Sequence, residues 1–312
     1  MRQLVWAVWA VAALALAQGG VWRSLAPLAE ARQEVGVALL DGKIYVAGGF
    51  LGSGATTGTL EVFDLQAGRW TRLEAMPTPV NHPAAVGLDG RVYVMGGYRS
   101  GLSQATAEVQ VYNPATGRWS QAAPMPSPRG ALSAAVIEGK IYAVGGANGP
   151  SLGDLAVYDP KANAWTALPP MPNPRDHAGV AVVGGKLYVA GGRRDGVFDL
   201  RHLEVFDPRA GRWQVLSPMP TGRSGHMVAA IGECIYAIAG EGNRQSRIGM
   251  FVEVEVYHVG RGRWTALRQM PVPKHGSVAV AVGEQIYLPA GATTAAIDPV
   301  NTLDLFLPPR CE

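Results

Sequence analysis

The sequence predicts an all-β protein built as a closed ring of six four-stranded sheets, which is a six-bladed β-propeller. Three observations predict this fold. The 312 residues include 40 Gly and 23 Pro, which suits many short strands joined by turns better than a helical bundle. A Tyr followed by a pair of small residues recurs six times, about every 50 residues. Repeats of this length that contain four strands are typical of propellers, in which each blade covers its neighbour.

Composition excludes several other classes of protein. Apolar residues make up 48% of the chain and charged residues 16%, so a long disordered protein is not expected. The formal net charge of +3 gives no indication of nucleic-acid binding. Two Cys are too few for a disulfide framework or a four-thiolate zinc site.

The first 17 residues have the pattern of a secretory signal peptide. Arg2 is followed by an uncharged run from Leu4 to Leu16, and Ala15 and Ala17 provide the small residues of a cleavage site. The run is shorter than the roughly 20 residues that span a bilayer. We therefore expect an exported, periplasmic or extracellular protein without a membrane span after cleavage. Residues 18–312 are expected to form a single propeller domain.

Each repeat is interpreted as four strands. Strand one is a run of small apolar residues such as 178–183, and a tight turn leads into strand two, such as 43–47. Strand two ends at the small pair, where missing side chains allow close backbone approach. Strand three follows a variable loop, and strand four carries a Trp. The recurring aromatic residues are interpreted as packing between blades: Tyr45, Tyr93, Tyr142, Tyr188, Tyr236, Tyr287, Trp70, Trp119, Trp165, Trp213 and Trp264.

The two ends of the sequence complete one another. Residues 303–307 form strand three of the sixth repeat, and no Trp-bearing strand follows them. Residues 21–28 match residues 118–125, which include the fourth strand of the second repeat. The N-terminal strand is therefore predicted to close the last blade and to remove an open sheet edge.

The recurring Tyr-x-x-Gly-Gly, Tyr-Asp-Pro, Arg-Trp and Met-Pro-x-Pro-Arg elements resemble the kelch repeat. The resemblance covers about residues 21–312 and implies a six-bladed kelch-type β-propeller. Kelch propellers mostly bind proteins or glycans, and a minority are enzymes, so the fold by itself does not name a reaction.

The loops between strands two and three, and between strand four and the next strand one, should share one face of the ring. This face is rich in basic side chains, which predicts an anionic ligand such as an acidic sugar or an acidic peptide. An alternative is that the Arg residues of the Met-Pro-x-Pro-Arg elements tie neighbouring blades together through backbone carbonyls. The candidate ligand-binding residues are Arg32, Arg99, Arg129, Arg175, Arg193, Arg223, Arg244, Arg247, Lys274 and His177.

Four histidines begin inner strands in four different blades. Because blades diverge from the ring axis, we expect these imidazoles to lie too far apart to share one ion. We therefore predict no metal site and no cofactor. The four residues are His82, His177, His226 and His275.

The loop after strand two of the fifth repeat differs from the others, because it places Glu241 between two glycines and close to Arg244 and Arg247. This segment resembles bacterial sialic-acid mutarotases, and the resemblance implies that Glu241 transfers a proton and Arg247 binds a carboxylate. Local pairing of Glu241 with Arg244 or Arg247 is the structural alternative. We therefore expect a binding module for a protein, peptide or glycan, with a mutarotase acting on an acidic sugar as the alternative.

Cys234 and Cys311 are predicted to lie on the opposite face, in neighbouring blades. Cα atoms more than about 7 Å apart cannot be bridged by a disulfide, and the sequence does not give their separation. Two free thiols are expected, with a disulfide as the alternative.

Overall fold

A computed structural model describes residues 19–311, and the predicted signal segment lies outside this range. Six four-stranded antiparallel sheets make up the ring, which confirms the predicted fold class. The remaining regular structure in these residues is a short hairpin (Tyr98–Ser100 and Ser103–Ala105) and a 3₁₀ turn (Val259–Arg261). None of the helices described is long and apolar enough to cross a membrane.

The blades follow one another along the chain. Blade 1 contains Gly36–Leu40, Lys43–Ala47, Leu60–Asp64 and Arg69–Arg72. Blade 2 contains Ala84–Leu88, Arg91–Met95, Val109–Asn113 and Arg118–Ala122. Blade 3 contains Ser133–Ile137, Lys140–Val144, Leu155–Asp159 and Ala164–Leu168. Blade 4 contains Gly179–Val183, Lys186–Ala190, Leu203–Asp207 and Arg212–Val215. Blade 5 contains Met227–Ile231, Cys234–Ile238, Val254–His258 and Arg263–Ala266.

Blade 6 is assembled from both ends of the described chain. Strands one to three of this blade are Val280–Val282, Gln285–Pro289 and Leu303–Leu307, and its fourth, outer strand is Val21–Leu25. The outer strand pairs antiparallel with Leu303–Leu307, and Trp22 stacks on Phe306 with ring centroids 4.4 Å apart. The predicted closure by the N-terminal strand is therefore confirmed.

The aromatic residues of the repeat hold neighbouring blades together. The Tyr of each strand two is buried. The indole N–H of Trp70 donates to Ala26 O (2.8 Å), and that of Trp119 donates to Glu74 O (2.9 Å), so each bond reaches the preceding blade. Trp165, Trp213 and Trp264 repeat this contact. The indoles are half-buried, and the preceding blade provides the acceptor for each N–H.

A closed ring of backbone hydrogen bonds surrounds the propeller axis. In the loop before strand one of each blade, a single residue has a positive φ, between 52° and 65°. Its N–H donates to the carbonyl of the equivalent residue in the preceding blade, over 2.6 to 3.0 Å. The last bond, from Glu34 N–H to Gly276 O, joins blade 1 to blade 6. The six residues of this axial ring are Glu34, His82, Ala131, His177, Gly225 and Gly276.

Cys234 and Cys311 form a disulfide, with their Cα atoms 5.9 Å apart. The expectation of two free thiols was therefore wrong, and the alternative is correct. The bond ties the C-terminal segment, which follows the third strand of blade 6, to blade 5. It therefore adds a covalent connection beside the non-covalent closure of the ring.

Candidate functional site at the loop-rich face

Two sets of loops meet on one face of the ring, which we call the mouth. The loop before each strand one pairs with the loop after strand two of the same blade, for example through Asp176 with Arg193 and Ser224 with Glu241. Close approach of the two loops needs residues without side chains. A Cβ on Gly49 (φ 104°) would lie 2.5 Å from Gln33 O. The predicted shared face is present, and it brings both sets of loops to the axis.

Five basic residues predicted to bind a ligand point into the blades instead. Their side chains are at most 1% exposed, and each donates to backbone carbonyls and pairs with a carboxylate. Lys274 Nζ, for example, donates to Leu288 O (2.8 Å) and lies 2.7 Å from Asp304 Oδ2. Direct ligand binding by these residues is not supported, because their charged groups are enclosed. Bonding to backbone carbonyls is what forms, and each side chain bonds to carbonyls of the blade that follows its loop. The pairs are Arg32–Glu61, Arg129–Asp154, Arg175–Glu204, Arg223–Glu255 and Lys274–Asp304.

The second blade replaces both members of this pair together. Val80 stands where the other blades have Arg or Lys, and the strand-three carboxylate is replaced by Gln110, whose side chain bonds to the backbone of Thr78 over 2.8 and 2.9 Å. A buried charge without a partner is costly, so loss of the cation goes with loss of the anion. The pattern identifies these residues as structural.

Arg99 and Arg193 remain at the mouth, and both are paired. Arg99 Nη2 lies 2.6 Å from Glu108 Oε1 and is largely exposed. Arg193 is 19% exposed and bonds to Asp176 (2.9 Å) and Glu241 (3.2 Å), while its guanidinium lies 5.1 Å from the ring centroid of Phe198. Arg193 therefore orients mouth residues from two blades.

A cluster of buried polar side chains lies around the axis at the mouth, and we call it the axial cluster. His82 Nε2 is 3.1 Å from Glu34 Oε2, and His275 Nδ1 is 3.4 Å from Glu34 Oε1. His275 Nδ1 is also 3.7 Å from Glu241 Oε2. The rings of His82 and His177 lie 4.9 Å apart, centroid to centroid. The members are Glu34, His82, Asp176, His177, Arg193, Glu241 and His275.

Burial and pairing shift the pKa values of this cluster in different directions. Burial, together with the nearby His177, Arg193 and His275, outweighs the attraction of Glu34 and lowers the pKa of His82 to about 3. Burial would raise the pKa of Asp176, but hydrogen bonds from His177 and Ser151 outweigh it and hold the value at about 2. Burial likewise opposes the charged form of His275, yet its ion-pair contact with Glu34 raises its pKa. These shifts favour ionised carboxylates and a neutral His82.

The expectation that all four histidines diverge was wrong for His82 and His177. Both belong to the axial ring, where a positive φ turns their side chains towards one another. His275 lies one position earlier in its loop and contacts Glu34 from the side. His226 lies one position later, faces Gly191, and has no hydrogen-bond partner for either ring nitrogen. The position of each histidine in its loop, which differs by one residue between blades, therefore decides which imidazoles contact one another.

One cavity opens at the mouth. Its volume is about 510 Å³, and Glu241, Arg244 and Arg247 all line it, as do Phe198 of blade 4 and residues 294–296 of blade 6. Arg244 and Arg247 are exposed, and neither makes an ion pair or side-chain hydrogen bond within residues 19–311. The three residues singled out in the fifth loop therefore meet at one cavity.

Glu241 is held by partners other than the two arginines of its own loop. The residue is 7% exposed, and its Oε1 accepts hydrogen bonds from Arg193 Nη1 (3.2 Å) and Ser224 Oγ (3.4 Å). The expected alternative of local pairing with Arg244 or Arg247 is therefore not what forms. Pairing across blades leaves both loop arginines free at the cavity.

Large apolar side chains are also exposed in the mouth loops, at 38% to 60% of their surface. Two of them, Phe198 and Ile248, line the cavity. Single exposed apolar residues are ordinary, but apolar side chains grouped at a cavity are typical of a binding site. Those in the mouth loops are Leu102, Val197, Phe198, Ile248 and Ile297.

Known proteins agree with this architecture. A family model described as the KLHDC2/KLHL20/DRC7 kelch-repeats domain matches residues 23–171, and a kelch motif model matches residues 174–220. A solved structure described as "Structure of YjhT" superposes with a TM-score of 0.76 and 18% identity, covering 89% of this chain and 95% of that one. At this identity the likeness concerns the fold.

Curated relatives match over shorter segments. Kelch-like protein terF of Aspergillus terreus is 36% identical over 72 residues, which are 22% of this chain and 15% of that protein. Kelch-like protein 36 of Rattus norvegicus is 38% identical over 60 residues, which are 19% of this chain and 10% of that protein. The matches therefore span only a small part of these relatives. With the fold, the repeats and the family models in agreement, the chain belongs to the kelch-repeat family of six-bladed β-propellers.

Proposed function

We propose that this protein is an exported binding module that takes a carboxylate-bearing ligand, with the size of an acidic sugar, in the mouth cavity. The observation that carries the proposal is the pair of guanidiniums, Arg244 and Arg247, that line a cavity of about 510 Å³ and have no partner among residues 19–311. Kelch propellers generally mediate interactions with other molecules, chiefly proteins, so a binding role fits the family.

Size and chemistry both support a small anionic ligand. Ligand cavities are usually about 300 to 1,000 Å³, and this one lies within that range. Guanidinium groups bind carboxylates through two parallel hydrogen bonds, which adds geometric specificity to charge attraction. Phe198 and Ile248 line the same cavity and offer apolar contact to the face of a sugar ring. A long acidic peptide would extend past the cavity over the remaining mouth loops.

Export is part of the proposal. It rests on the signal-peptide pattern of residues 1–17 and gains support from the disulfide, since disulfides persist in oxidising compartments. Fractionation of the host cells should recover the protein outside the cytoplasm. Its mass should equal that of the chain without residues 1–17. A full-length cytoplasmic product would contradict this part of the proposal.

Calorimetric titration tests the binding role. Sialic acid and a uronic acid serve as probes, each compared with a neutral sugar of similar size. Arg247→Gln and Arg244→Gln should each weaken binding of the acid at least about tenfold, the effect of losing a charged hydrogen bond worth 1.5–3 kcal/mol. Arg209→Gln is the matched control, because Arg209 is 86% exposed and pairs with Glu138 outside the mouth. Equal binding of acid and neutral sugar, or equal loss in the control, would refute the proposal.

A second candidate is a sugar mutarotase, and the position of Glu241 on the cavity beside Arg247 favours it. In such a reaction Glu241 would take the proton of the anomeric hydroxyl. The bond between the anomeric carbon and the ring oxygen would then break as that oxygen gains a proton from water. Reclosure on the other face of the carbonyl gives the second anomer and returns the protons.

Anomer interconversion followed by NMR distinguishes the two candidates. A mutarotase should accelerate it above the buffer rate for an acidic sugar, and Glu241→Gln should lose this acceleration while still binding the sugar. A binding module should bind the sugar without any acceleration. Acceleration retained in Glu241→Gln would remove Glu241 from the mechanism.

A further inference from the structure

Three side chains of the axial ring bring metal-ligating atoms together. One carboxylate oxygen of Glu34 and one imidazole nitrogen from each of His82 and His177 all lie within 4.8 Å of one another. The three residues are at most 9% exposed. They also border a cavity of about 70 Å³ on the axis, together with the first residues of the inner strands.

Neighbouring oxygens hold both imidazoles with Nε2 free to bind an ion. His82 Nδ1 lies 2.6 Å from Asn81 Oδ1, and His177 Nδ1 lies 2.5 Å from Asp176 Oδ1. Each partner comes from the residue just before the histidine. Metal-ligating histidines almost always donate their second N–H to a carboxylate or carbonyl, which fixes the tautomer and the ring orientation. Both histidines have this arrangement.

The contact between His82 and Glu34 needs a positive charge between its two atoms. The Asn81 amide nitrogen donates to Thr56 Oγ1 (2.8 Å) and Tyr98 O (3.1 Å), so its oxygen faces His82. Because that oxygen only accepts hydrogen bonds, the His82 proton is on Nδ1. A neutral His82 then points the lone pair of Nε2 at Glu34 Oε2, 3.1 Å away. A proton or a metal ion must lie between these two acceptors.

The fixed charges of the axial cluster favour a cation. Glu34, Asp176 and Glu241 are three carboxylates, whereas Arg193 is the one guanidinium among them. Before any histidine is protonated, the cluster therefore carries two more negative charges than positive ones. Buried charge of one sign is costly unless it is balanced.

We propose that Glu34, His82 and His177 bind a divalent transition-metal ion, such as Zn²⁺, on the propeller axis at the floor of the mouth. Two imidazoles and one carboxylate are ligands that suit zinc and its first-row neighbours, rather than Ca²⁺ or Mg²⁺. At bond lengths of about 2.0–2.2 Å, two ligand atoms of a tetrahedral site lie about 3.4 Å apart. The ligand atoms here lie within 4.8 Å of one another, so side-chain rotation would bring the most distant two to that separation. Three protein ligands leave a position for water or for an anion.

Metal titration of the intact protein tests this proposal and is independent of sugar binding. After chelator treatment, with the disulfide left oxidised, the wild-type chain should bind one Zn²⁺ and no Ca²⁺. Glu34→Gln, His82→Gln and His177→Gln should each weaken Zn²⁺ binding by more than the 10- to 100-fold typical of losing a neighbouring orienting group. His202→Gln and His258→Gln are matched controls outside the cluster and should bind as the wild type does.

X-ray absorption at the zinc edge of the wild-type protein should show two imidazole nitrogens and carboxylate oxygen. This measurement decides the matter even where a variant fails to fold. Absence of stoichiometric Zn²⁺ in the wild type would overturn the proposal. It would mean that a proton, rather than a metal ion, lies between His82 Nε2 and the Glu34 carboxylate. Binding that survives all three ligand substitutions, or that is lost in His258→Gln, would overturn it as well.

Discussion

Removal of the Glu204 carboxylate should be among the most damaging single changes in this protein. Glu204 and Arg175 are both completely buried and directly paired in blade 4. Glu204→Ala leaves the guanidinium enclosed, with bonds to the carbonyls of Asn173 and Val189 but without a counter-charge. Breaking a buried pair in this way typically costs about 3–5 kcal/mol. A loss of this size is a large share of the stability of an ordinary domain.

Equilibrium unfolding in urea, followed by Trp fluorescence, measures this effect. Glu138→Ala is the matched control, because Glu138 and Arg209 are 66% and 86% exposed and form the same kind of pair at the surface. We expect a large fall in the urea midpoint for Glu204→Ala and little change for the control. Replacing both buried partners, as in Arg175→Met with Glu204→Leu, should recover most of the loss. Equal midpoints for Glu204→Ala and Glu138→Ala would refute this account of the buried pairs.

Three further predictions follow from other contacts of the ring. Cys311→Ser opens a disulfide that spans 77 residues and should lower the free energy of unfolding by about 4–5 kcal/mol in the chain-entropy estimate; an unchanged urea midpoint would contradict it. Deletion of residues 21–28 removes the closing strand and should lower the melting temperature of the whole ring, so an unaltered melting curve would argue against closure. His226, whose pKa burial lowers to about 3, stays neutral in the folded chain while the unfolded chain takes up a proton below about pH 6.5. The free energy of unfolding should therefore decrease as the pH is lowered below 6.5, and this group contributes up to about 1.4 kcal/mol per pH unit. His226→Leu should reduce this pH dependence when unfolding is measured at several pH values. The same pH dependence in the variant would show that His226 is not responsible.

The fold was predictable because one unit is repeated six times. The sequence of a single repeat locates its strands only approximately. Six aligned copies define the number of blades and show that the last copy lacks its fourth strand. Residues 21–28 could be placed in blade 6 because they match a complete repeat elsewhere in the chain. The observed pairing of Val21–Leu25 with Leu303–Leu307 follows that match.

The mouth was only partly predictable. The departure of the fifth loop from the repeat singled out Glu241, Arg244 and Arg247, and the three residues line one cavity. Recurrence of Arg at the Met-Pro elements was a signal of structure, and the joint change to Val80 and Gln110 in blade 2 would have shown it. A residue that recurs in most blades more often stabilises the blade structure than binds a ligand.

The axial cluster could not be read from residue types alone. His82, His177, His226 and His275 all begin inner strands, but only the first two occupy the ring position with a positive φ. Glu34 occupies the same position in blade 1 and was missed as a partner for them. Aligning the loops by their backbone register, rather than by residue type, would have placed these three side chains together.

A crystal structure of the protein with bound sialic acid would show directly whether the mouth cavity is the binding site. We predict that the ligand carboxylate lies between Arg244 and Arg247, with the sugar ring in the cavity near Glu241. A carboxylate bound outside this cavity, or a mouth that stays free of ligand at concentrations where calorimetry shows saturation, would contradict it.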